Sequence, residues 1–444
     1  MHNATLYSLL LAGGLSVVGV APSFAAAPAD NTTTEQTVDG HIRMTFAYSN
    51  KFFKQGDELR ANFQLLATRA IADYELTLYL DDKPVRTYTA SDFQQLVAND
   101  QVVFSVSYKP ETALSVGTHT LKLEQTKEGG SPVAAGKSLS TLVRVYDKTL
   151  TKQKYLMEHF TETWCTYCPP IIRGMENLMH FYSDKVAWLG IHQESDVFYT
   201  TEQGEFGKSN PAKSYPSVFT DRHAIVSPYG YTARTMPYRY SDTFDKSVAD
   251  DFFQGTLGRY AYPAFANLDV KSDYDEATRS LIVTVDMTAV DNFEQVFGPA
   301  TLSVCLVEDG LEAYQTNMGA VKHNAVFRKY LTASAAGDPI LWNGTTATKS
   351  YTYVIPGNNV AANMKVVAFI GKDLSSGTYA SDERFVTNAE EVPVVSNTPT
   401  GIHAAAQASQ GDETGYDLSG RRVPASAKGL VIVHKDGKSV KVIK

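Results

Sequence analysis

The stretch that decides the fold is residues 154–170, which reads KYLMEHFTETWCTYCPP. Its opening, KYLMEHF, is largely apolar and aromatic and predicts a strand. After the two prolines, apolar side chains recur at the spacing of one helix face, at Ile171, Met175, Leu178 and Tyr182. Residues 185–192, KVAWLGIH, predict a second strand, which is buried. Strand, helix and strand in this order form a βαβ unit, so we expect the two strands to pair in parallel.

Two cysteines, Cys165 and Cys168, stand at the start of the predicted helix. The unpaired N–H groups and partial positive charge of a helix N-terminus stabilise a thiolate, so this spacing is typical of a redox pair. Cys165 is the predicted nucleophile, Cys168 the resolving thiol, and Trp164 a cover over the sulfurs. Two alternatives remain open, a zinc half-site completed by His159 or His192 and a pair of unrelated core cysteines.

A proline leads directly into a third apolar run at residues 214–221, SYPSVFTD. X–Pro is the peptide bond that takes the cis form readily. A cis bond before Pro216 would turn the backbone of Tyr215 toward the cysteine pair, where it would hydrogen-bond an extended substrate. A trans proline at the first residue of an edge strand is the open alternative.

Period-two alternation of apolar residues dominates the chain on both sides of this stretch. It runs through Ile42, Met44 and Phe46 near the N-terminus and through Leu281, Val283 and Val285 farther on. Such short alternating strands favour antiparallel sandwiches. The predicted fold class is therefore multidomain α+β, with a central α/β domain flanked by two antiparallel β-sandwich, immunoglobulin-like domains.

The composition shifts along the chain predict six segments. They are a signal peptide at 1–27, an N-terminal β-sandwich at 40–148, the α/β domain at 149–262, a C-terminal β-sandwich at 263–392, a linker at 393–415 and a hairpin-like tail at 416–444. Residues 9–21 are apolar and precede small residues, which is typical of a secretory leader too short to span a membrane. We expect an exported protein in the periplasm, on the outer membrane surface or secreted.

The composition excludes several other function classes. The 444 residues hold 40 Lys+Arg and 48 Asp+Glu, a net charge of −8, so nothing favours nucleic acid as a partner. Three cysteines exclude a disulfide-stapled scaffold. No phosphate-binding glycine loop or serine nucleophile elbow stands in the sequence. We expect no cofactor beyond the dithiol/disulfide itself, no metal, and no spanning segment in the mature chain.

Three motifs carry a family resemblance. WCTYC at 164–168, after a strand and before Tyr215-Pro216-Ser217, resembles the thioredoxin superfamily. Residues 158–169 are more closely similar to the thioredoxin-like domain of the Bacteroidetes 28-kDa outer membrane protein family, and HNAVFR at 323–328 resembles that family's His-Asn-x-Val-x-Arg segment. The resemblance spans about residues 150–395.

The resemblance implies a thioredoxin-like fold for the central domain, with Cys165 attacking, Cys168 resolving and Pro216 in the cis form. Tyr215, Thr166 and Tyr167 are the predicted substrate contacts.

The sequence departs from the thioredoxin pattern before the first cysteine. Many thioredoxins carry a buried acid six residues ahead of it, where this chain has His159 with Glu158 beside it. A slip of one residue along the strand would exchange which of the two faces inward. Both are therefore candidates for proton handling at Cys168.

The tail resembles a second kind of segment. YDLSGRRV at 416–423, KGLVIV at 428–433 and DGK at 436–438 are similar to C-terminal sorting segments of Bacteroidetes type IX secretion. Asp436-Gly437 is also a strong hairpin dipeptide, so a terminal hairpin that merely packs is the alternative.

Two further candidates have ordinary structural explanations. Cys305 lies in the apolar run SVCLV and is expected to be a lone buried thiol, with a third redox partner as the alternative. His192, Glu194 and Asp196 offer metal-ligand chemistry, although a polar strand end explains them as well.

Two function hypotheses follow. The first is thiol–disulfide exchange on envelope or secreted proteins through the Cys-Thr-Tyr-Cys pair, whose partners are protein thiols and disulfides. The alternative is a non-catalytic outer-membrane or surface binding or adhesion protein that uses the redox fold as a scaffold, since a fold does not fix a function.

Overall fold

The structure is a computed structural model. It describes residues 41–46, 50–133, 138–205, 215–222, 244–254, 262–373, 384–396, 415–416, 422–423, 430–435 and 438–443. The predicted signal peptide, most of the predicted linker and the predicted turn at Asp436-Gly437 lie outside the described residues.

Among the described residues up to Phe252, there are twelve strands and two α-helices. They are β1 (Ile42–Phe46), β2 (Phe52–Lys54), β3 (Leu59–Ala67), β4 (Tyr74–Leu80), β5 (Lys83–Thr89), β6 (Gln101–Tyr108), β7 (Gly117–Glu128), β8 (Ser131–Pro132), β9 (Ser138–Tyr146), β10 (Tyr155–Thr161), α1 (Pro169–Tyr182), β11 (Val186–His192), a 3₁₀ turn (Thr201–Glu205), β12 (Ser217–Thr220) and α2 (Lys246–Phe252).

The described residues after Phe252 are also mostly strand. Its elements are β13 (Ala266–Asp275), β14 (Ser280–Ala289), α3 (Phe293–Val296), β15 (Ala300–Glu308), β16 (Leu311–Gln315), β17 (Gly319–His323), β18 (Val326–Tyr330), β19 (Asp338–Pro339), β20 (Thr346–Val354), a 3₁₀ turn (Ala361–Asn363), β21 (Met364–Lys372), β22 (Val386–Pro393), β23 (Gly415–Tyr416), β24 (Arg422–Val423), β25 (Leu430–Lys435) and β26 (Lys438–Ile443).

Two sheets near the N-terminus share one core. One has the order β1-β3-β6, and the other has the order β2-β9-β7-β4-β5 with β8 beside β7. Burial alternates along β3, so one face of that strand points inward while the other stays at the surface. Phe63 and Leu65 of the first sheet and Leu76 and Leu121 of the second lie in the same apolar cluster.

The largest sheet has the order β12-β10-β11-β18-β15-β21-β22, with β19 beside β15. β10 and β11 pair in parallel, as the strand–helix–strand order predicts. β11 then pairs in parallel with β18 at Gly190 and Val326, and β18 continues antiparallel to β15. Strands from residues 155–220 and from residues 300–393 therefore form one hydrogen-bonded sheet.

Both faces of this sheet are covered. α1 packs on one face through Ile171, Met175 and Leu178, which are buried as their spacing predicts. All nine residues of β15 are buried. A third sheet, β13-β14-β20, shares a core with β15 and β21 and closes off this part of the large sheet.

The predicted fold class is wrong. The described residues are mostly β-strand in several sheets, and they do not form a central α/β thioredoxin core flanked by two sandwiches. β11 is buried along its whole length and needs a partner on its open edge, which β18 supplies from far along the sequence. Only one described helix, α1 with 14 residues, is longer than two turns, so strands provide most of the core.

The tail forms a small sheet of its own, in the order β24-β23-β25-β26. β25 and β26 pair antiparallel from Leu430 with Ile443 to Lys435 with Lys438. Among the described residues, none of the helices has the length and apolarity that crossing a bilayer requires.

Candidate functional site

Cys165 and Cys168 are joined by a disulfide at the N-terminus of α1. Cys168 is the N-cap residue, and prolines occupy the first two helical positions, where a missing N–H leaves no hydrogen bond unmade. The Cys168 carbonyl accepts a 3.0 Å hydrogen bond from the N–H of Ile172. Cys165 is 4% exposed and Cys168 is 0% exposed, so both cysteines are buried and Cys165 lies slightly nearer the surface.

A hairpin formed by β16 and β17 supports the loop that carries the cysteines. The side-chain amide of Gln315 donates 3.1 Å hydrogen bonds to the backbone carbonyls of both Glu162 and Cys165. The N–H of Thr316 donates to the carbonyl of Thr163 at 2.8 Å. The hairpin holds the cysteine loop through the backbone of the loop. The sequence near the cysteines does not predict this contact.

Tyr215, Met318 and Ile172 pack around the disulfide. The peptide bond between Tyr215 and Pro216 is cis. Tyr215 is partly buried, and burial, with a smaller contribution from the nearby carboxyl of Glu162, raises the pKa of its phenol to about 12. The phenol therefore stays neutral at physiological pH.

The remaining predicted contact residues lie at the surface beside the pair. Trp164 is 54% exposed and meets the ring of Tyr215 edge-on, with 6.5 Å between ring centroids, so it flanks the disulfide and does not cover it fully. Tyr167 is 71% exposed. Thr166 is exposed as well, and its carbonyl accepts a hydrogen bond from the side chain of Asn317. Two exposed aromatic rings thus border the disulfide.

The two candidates for proton handling lie on opposite faces of β10. His159 shares the α1 face with Met157, since side chains two apart on a strand point the same way. Its ring stacks near Trp188, and burial, together with His192 and His323, lowers its pKa to about 3. It is therefore neutral at physiological pH.

Glu158 lies on the other face of β10, away from α1, and is completely buried. Its Oε1 atom is 3.2 Å from Nε of Arg222 in a buried ion pair. Of the two candidates for proton handling, His159 is therefore the one that faces α1, the helix that begins at the cysteines.

A buried polar cluster lies next to the cysteine loop. It consists of Glu162, His192 and Asp196, whose ligand-type atoms all lie within 4.8 Å of one another. The Oδ1 atom of Asp196 is 3.0 Å from Nδ1 of His192. From the sequence, the candidate metal ligands were His192, Asp196 and Glu194. The structure replaces Glu194, which is exposed, with Glu162.

The two carboxyl groups of the cluster have opposite pKa shifts. Burial raises the pKa of Glu162 to about 8, the N–H of Gln193 opposes this, and Asp196 adds to it. Burial would also raise the pKa of Asp196, but the nearby His192 and the N–H groups of Phe198 and Thr163 outweigh it and lower the pKa. The sequence did not indicate Glu162 as a member of the cluster, because its partners His192 and Asp196 lie on β11 and in the loop after it.

Cys305 is a free cysteine and is completely buried in β15, as predicted for a lone apolar thiol. Burial raises the pKa of its thiol well above the usual value, so the sulfur stays protonated and unreactive.

One part of the chain matches a known family. Residues 263–382 match the family model described as "Outer membrane protein Omp28", which supports the predicted family resemblance for that region. The matched region begins after the cysteine pair and ends before the tail. No curated protein matches the chain.

Solved structures show only a partial likeness. HBP35 of Porphyromonas gingivalis has 15% identity and a TM-score of 0.45, over 67% of this chain and all of that one. A domain of the outer membrane lipoprotein Omp28 from Porphyromonas gingivalis has 19% identity and a TM-score of 0.21, over 31% of this chain and 94% of that one. At these TM-scores the likeness carries no conclusion about this chain.

Proposed function

We propose that the protein carries out thiol–disulfide exchange with protein clients through Cys165 and Cys168. The observation that supports this most directly is the disulfide at the start of α1, in which Cys165 is 4% exposed and Cys168 is fully buried. The slightly greater exposure of Cys165 supports it as the sulfur that a client reaches, with Cys168 as the resolving thiol.

The proposed reaction, starting from the reduced pair, has two steps. The Cys165 thiolate attacks a client disulfide, forms a mixed disulfide and releases the first client thiolate, which takes up a proton. Cys168 then loses its proton and attacks the Cys165 sulfur, which releases the second client thiolate. The client gains two electrons and the pair becomes the disulfide; the reverse sequence oxidises a client dithiol.

The surface around Cys165 suits an extended apolar client. Trp164 and Tyr167 expose their rings beside it, and exposed aromatic side chains are enriched where proteins bind each other. The 4% exposure of Cys165 means that a client must approach along this aromatic rim, which favours flexible segments over folded surfaces.

We place this activity in the cell envelope. The Omp28 match at 263–382 and the apolar N-terminal segment at residues 9–21 support export to the envelope or outer membrane. Extracytoplasmic compartments permit stable disulfides, which suits a pair that cycles through one.

The direct test measures reduction of a disulfide-linked reporter peptide in the presence of a small dithiol. The unmodified protein should accelerate it, Cys165→Ser should lose essentially all acceleration, and Cys305→Ala should keep it because that thiol is buried and protonated. Equal rates for the unmodified protein and Cys165→Ser would overturn the proposal.

A trap experiment separates exchange from simple binding. Cys168→Ser cannot resolve a mixed disulfide, so it should accumulate covalent client complexes that a reductant releases, and Cys165→Ser should not. A surface binding or adhesion protein would instead retain its partners in both variants without any covalent complex.

For the tail we propose a sorting role during secretion. Residues 415–443 hold a four-stranded sheet among themselves, which supports a segment recognised as a unit. Removing residues 416–444 should leave the protein inside the envelope and deplete it from the surface and the medium. Unchanged surface and medium levels would contradict this role.

A further inference from the structure

The buried cluster of Glu162, His192 and Asp196 contains a polar atom that forms no hydrogen bond within the protein. Glu162 is 0% exposed, His192 1% and Asp196 8%. The Oε2 atom of Glu162 is buried without a hydrogen-bond partner. It belongs to the same cluster as the Nδ1 atom of His192, which lies 3.0 Å from Oδ1 of Asp196. Buried polar atoms are nearly always satisfied, so an unpartnered carboxyl oxygen beside a buried histidine–aspartate pair indicates a missing ligand.

The remaining atoms of the cluster are held in place by neighbours. The Oε1 atom of Glu162 accepts the N–H of Gln193 at 2.8 Å. The Oδ2 atom of Asp196 accepts both the N–H and the hydroxyl of Thr163, at 2.5 and 2.7 Å. The Oδ1 atom of Asp196 accepts the N–H of Phe198 at 3.0 Å. Metal ligands in proteins are oriented by outer partners of this kind.

We propose that Glu162, His192 and Asp196 bind one divalent transition-metal cation of the Zn²⁺ type. One imidazole nitrogen and two carboxylate oxygens are ligands that such ions accept. The charges balance when both carboxyl groups are ionised, since two carboxylates and a neutral imidazole then compensate a double positive charge in this buried site.

The site is separate from the proposed thiol chemistry but is connected to the same loop. Glu162 lies three residues before Cys165, and its carbonyl shares the amide of Gln315 with that of Cys165. A bound cation would hold β11, the loop after it and the start of the cysteine loop together. Metal binding is therefore expected even when neither cysteine can react.

The test uses the full chain with Cys165 and Cys168 both changed to serine, so that no thiolate of the pair can hold metal. After dialysis against a chelator and then Zn²⁺, elemental analysis should find about one zinc per chain, and zinc should raise Tm by about 3 °C or more. Co²⁺ in place of zinc should give visible absorption without a thiolate charge-transfer band.

Matched variants locate the site. Glu162→Gln and Asp196→Asn preserve side-chain shape and should each reduce bound zinc to a small fraction of one equivalent, and Thr163→Ala should weaken affinity about 10- to 100-fold. His119→Gln is the control, because His119 is also buried and paired with an aspartate, Asp81, at 2.7 Å, outside the cluster.

Three results would overturn the site. They are less than about 0.1 zinc per chain in the serine-substituted protein, zinc content in Glu162→Gln equal to that of the His119→Gln control, or a zinc-bound protein whose Tm does not change. If the carboxyl variants do not fold, the zinc content and the cobalt spectrum of the serine-substituted protein decide whether the site exists. Failure of thiol exchange would leave this proposal standing, and the converse also holds.

Discussion

The N–H of Gly190 donates a 2.7 Å hydrogen bond to the carbonyl of Ala325. This is the point at which β11 meets β18, and it joins strands that lie far apart in the sequence. A Cβ atom at position 190 would lie 3.0 Å from the same carbonyl oxygen. The close approach of two backbones is what requires glycine here.

Gly190→Val should therefore destabilise the protein by about 1–3 kcal/mol, because the added side chain forces β11 and β18 apart in a packed interior. Denaturant unfolding measures the change. Gly357→Ala is the control, since nothing lies within 4 Å of a Cβ at that position. Equal stability of the two variants would show that the junction tolerates a wider spacing.

The buried pair of Glu158 and Arg222 gives a second prediction. Arg222 is 2% exposed, and its guanidinium also lies over the ring of Phe369 at 4.8 Å. Arg222→Met should cost about 3–5 kcal/mol, because it leaves the Glu158 carboxylate buried without this partner. Combining it with Glu158→Gln should recover part of that loss.

An exposed ion pair, Arg60 with Glu58, provides the control for the buried pair of Glu158 and Arg222. Arg60 pairs with Glu58 at 2.7 Å with most of its side chain in water, so Arg60→Met should change the free energy of unfolding by less than about 1 kcal/mol. Additive losses in the double variant of Glu158 and Arg222 would contradict the coupling.

A pH dependence is expected from Glu128. Burial would raise its pKa, but hydrogen bonds from Gln125, His41 and Arg69 outweigh this and lower it to about 2. The ionised form is therefore favoured by folding. Its contribution to stability is full above the unfolded pKa near 4.5 and is lost as the pH falls toward 2.

Glu128→Gln should accordingly reduce stability at pH 7 and flatten the decline between pH 4.5 and 2. Thermal unfolding at several pH values measures this, with Glu111→Gln as a control at an exposed position. A parallel decline in both variants would assign the acid sensitivity to other groups.

Gln315 gives a prediction about the cysteine loop. It is completely buried, and its amide serves two loop carbonyls, those of Glu162 and Cys165. Gln315→Leu leaves both carbonyls without this donor and should destabilise the protein by about 1–3 kcal/mol. The looser loop should also be reduced faster by a small dithiol, as thiol alkylation over time can show.

Gln101→Leu, at an exposed position on β6, is the matched control. If Gln315→Leu is reduced at the same rate as that control, the hairpin does not restrain the disulfide.

Local features of this chain were predictable from the sequence, whereas its long-range pairing was not. The apolar spacing of Ile171, Met175 and Leu178 located α1, and the runs at 154–160 and 185–192 located two parallel strands. These patterns reflect contacts between residues close in the chain. The pairing of β11 with β18 joins segments far apart in the chain, and nothing in the sequence of β18 indicates that it pairs with β11. The predicted fold class was therefore wrong.

The same limit applies to the site. The disulfide between Cys165 and Cys168 and the cis bond before Pro216 lie in short motifs that the sequence makes visible. Gln315 and Glu162 were not found, because a lone glutamine and a glutamate between two threonines look like ordinary surface residues until the fold buries them.

The shared sheet also constrains how the chain can be made. During synthesis, β10, β11 and β12 leave the ribosome well before β18, β15 and β21 exist, so the nascent chain carries an unpaired apolar edge until its second half arrives. Expressing residues 149–262 alone would make that edge permanent, and aggregation is the expected result. Coexpression with residues 263–396 would supply the missing strands as a separate fragment.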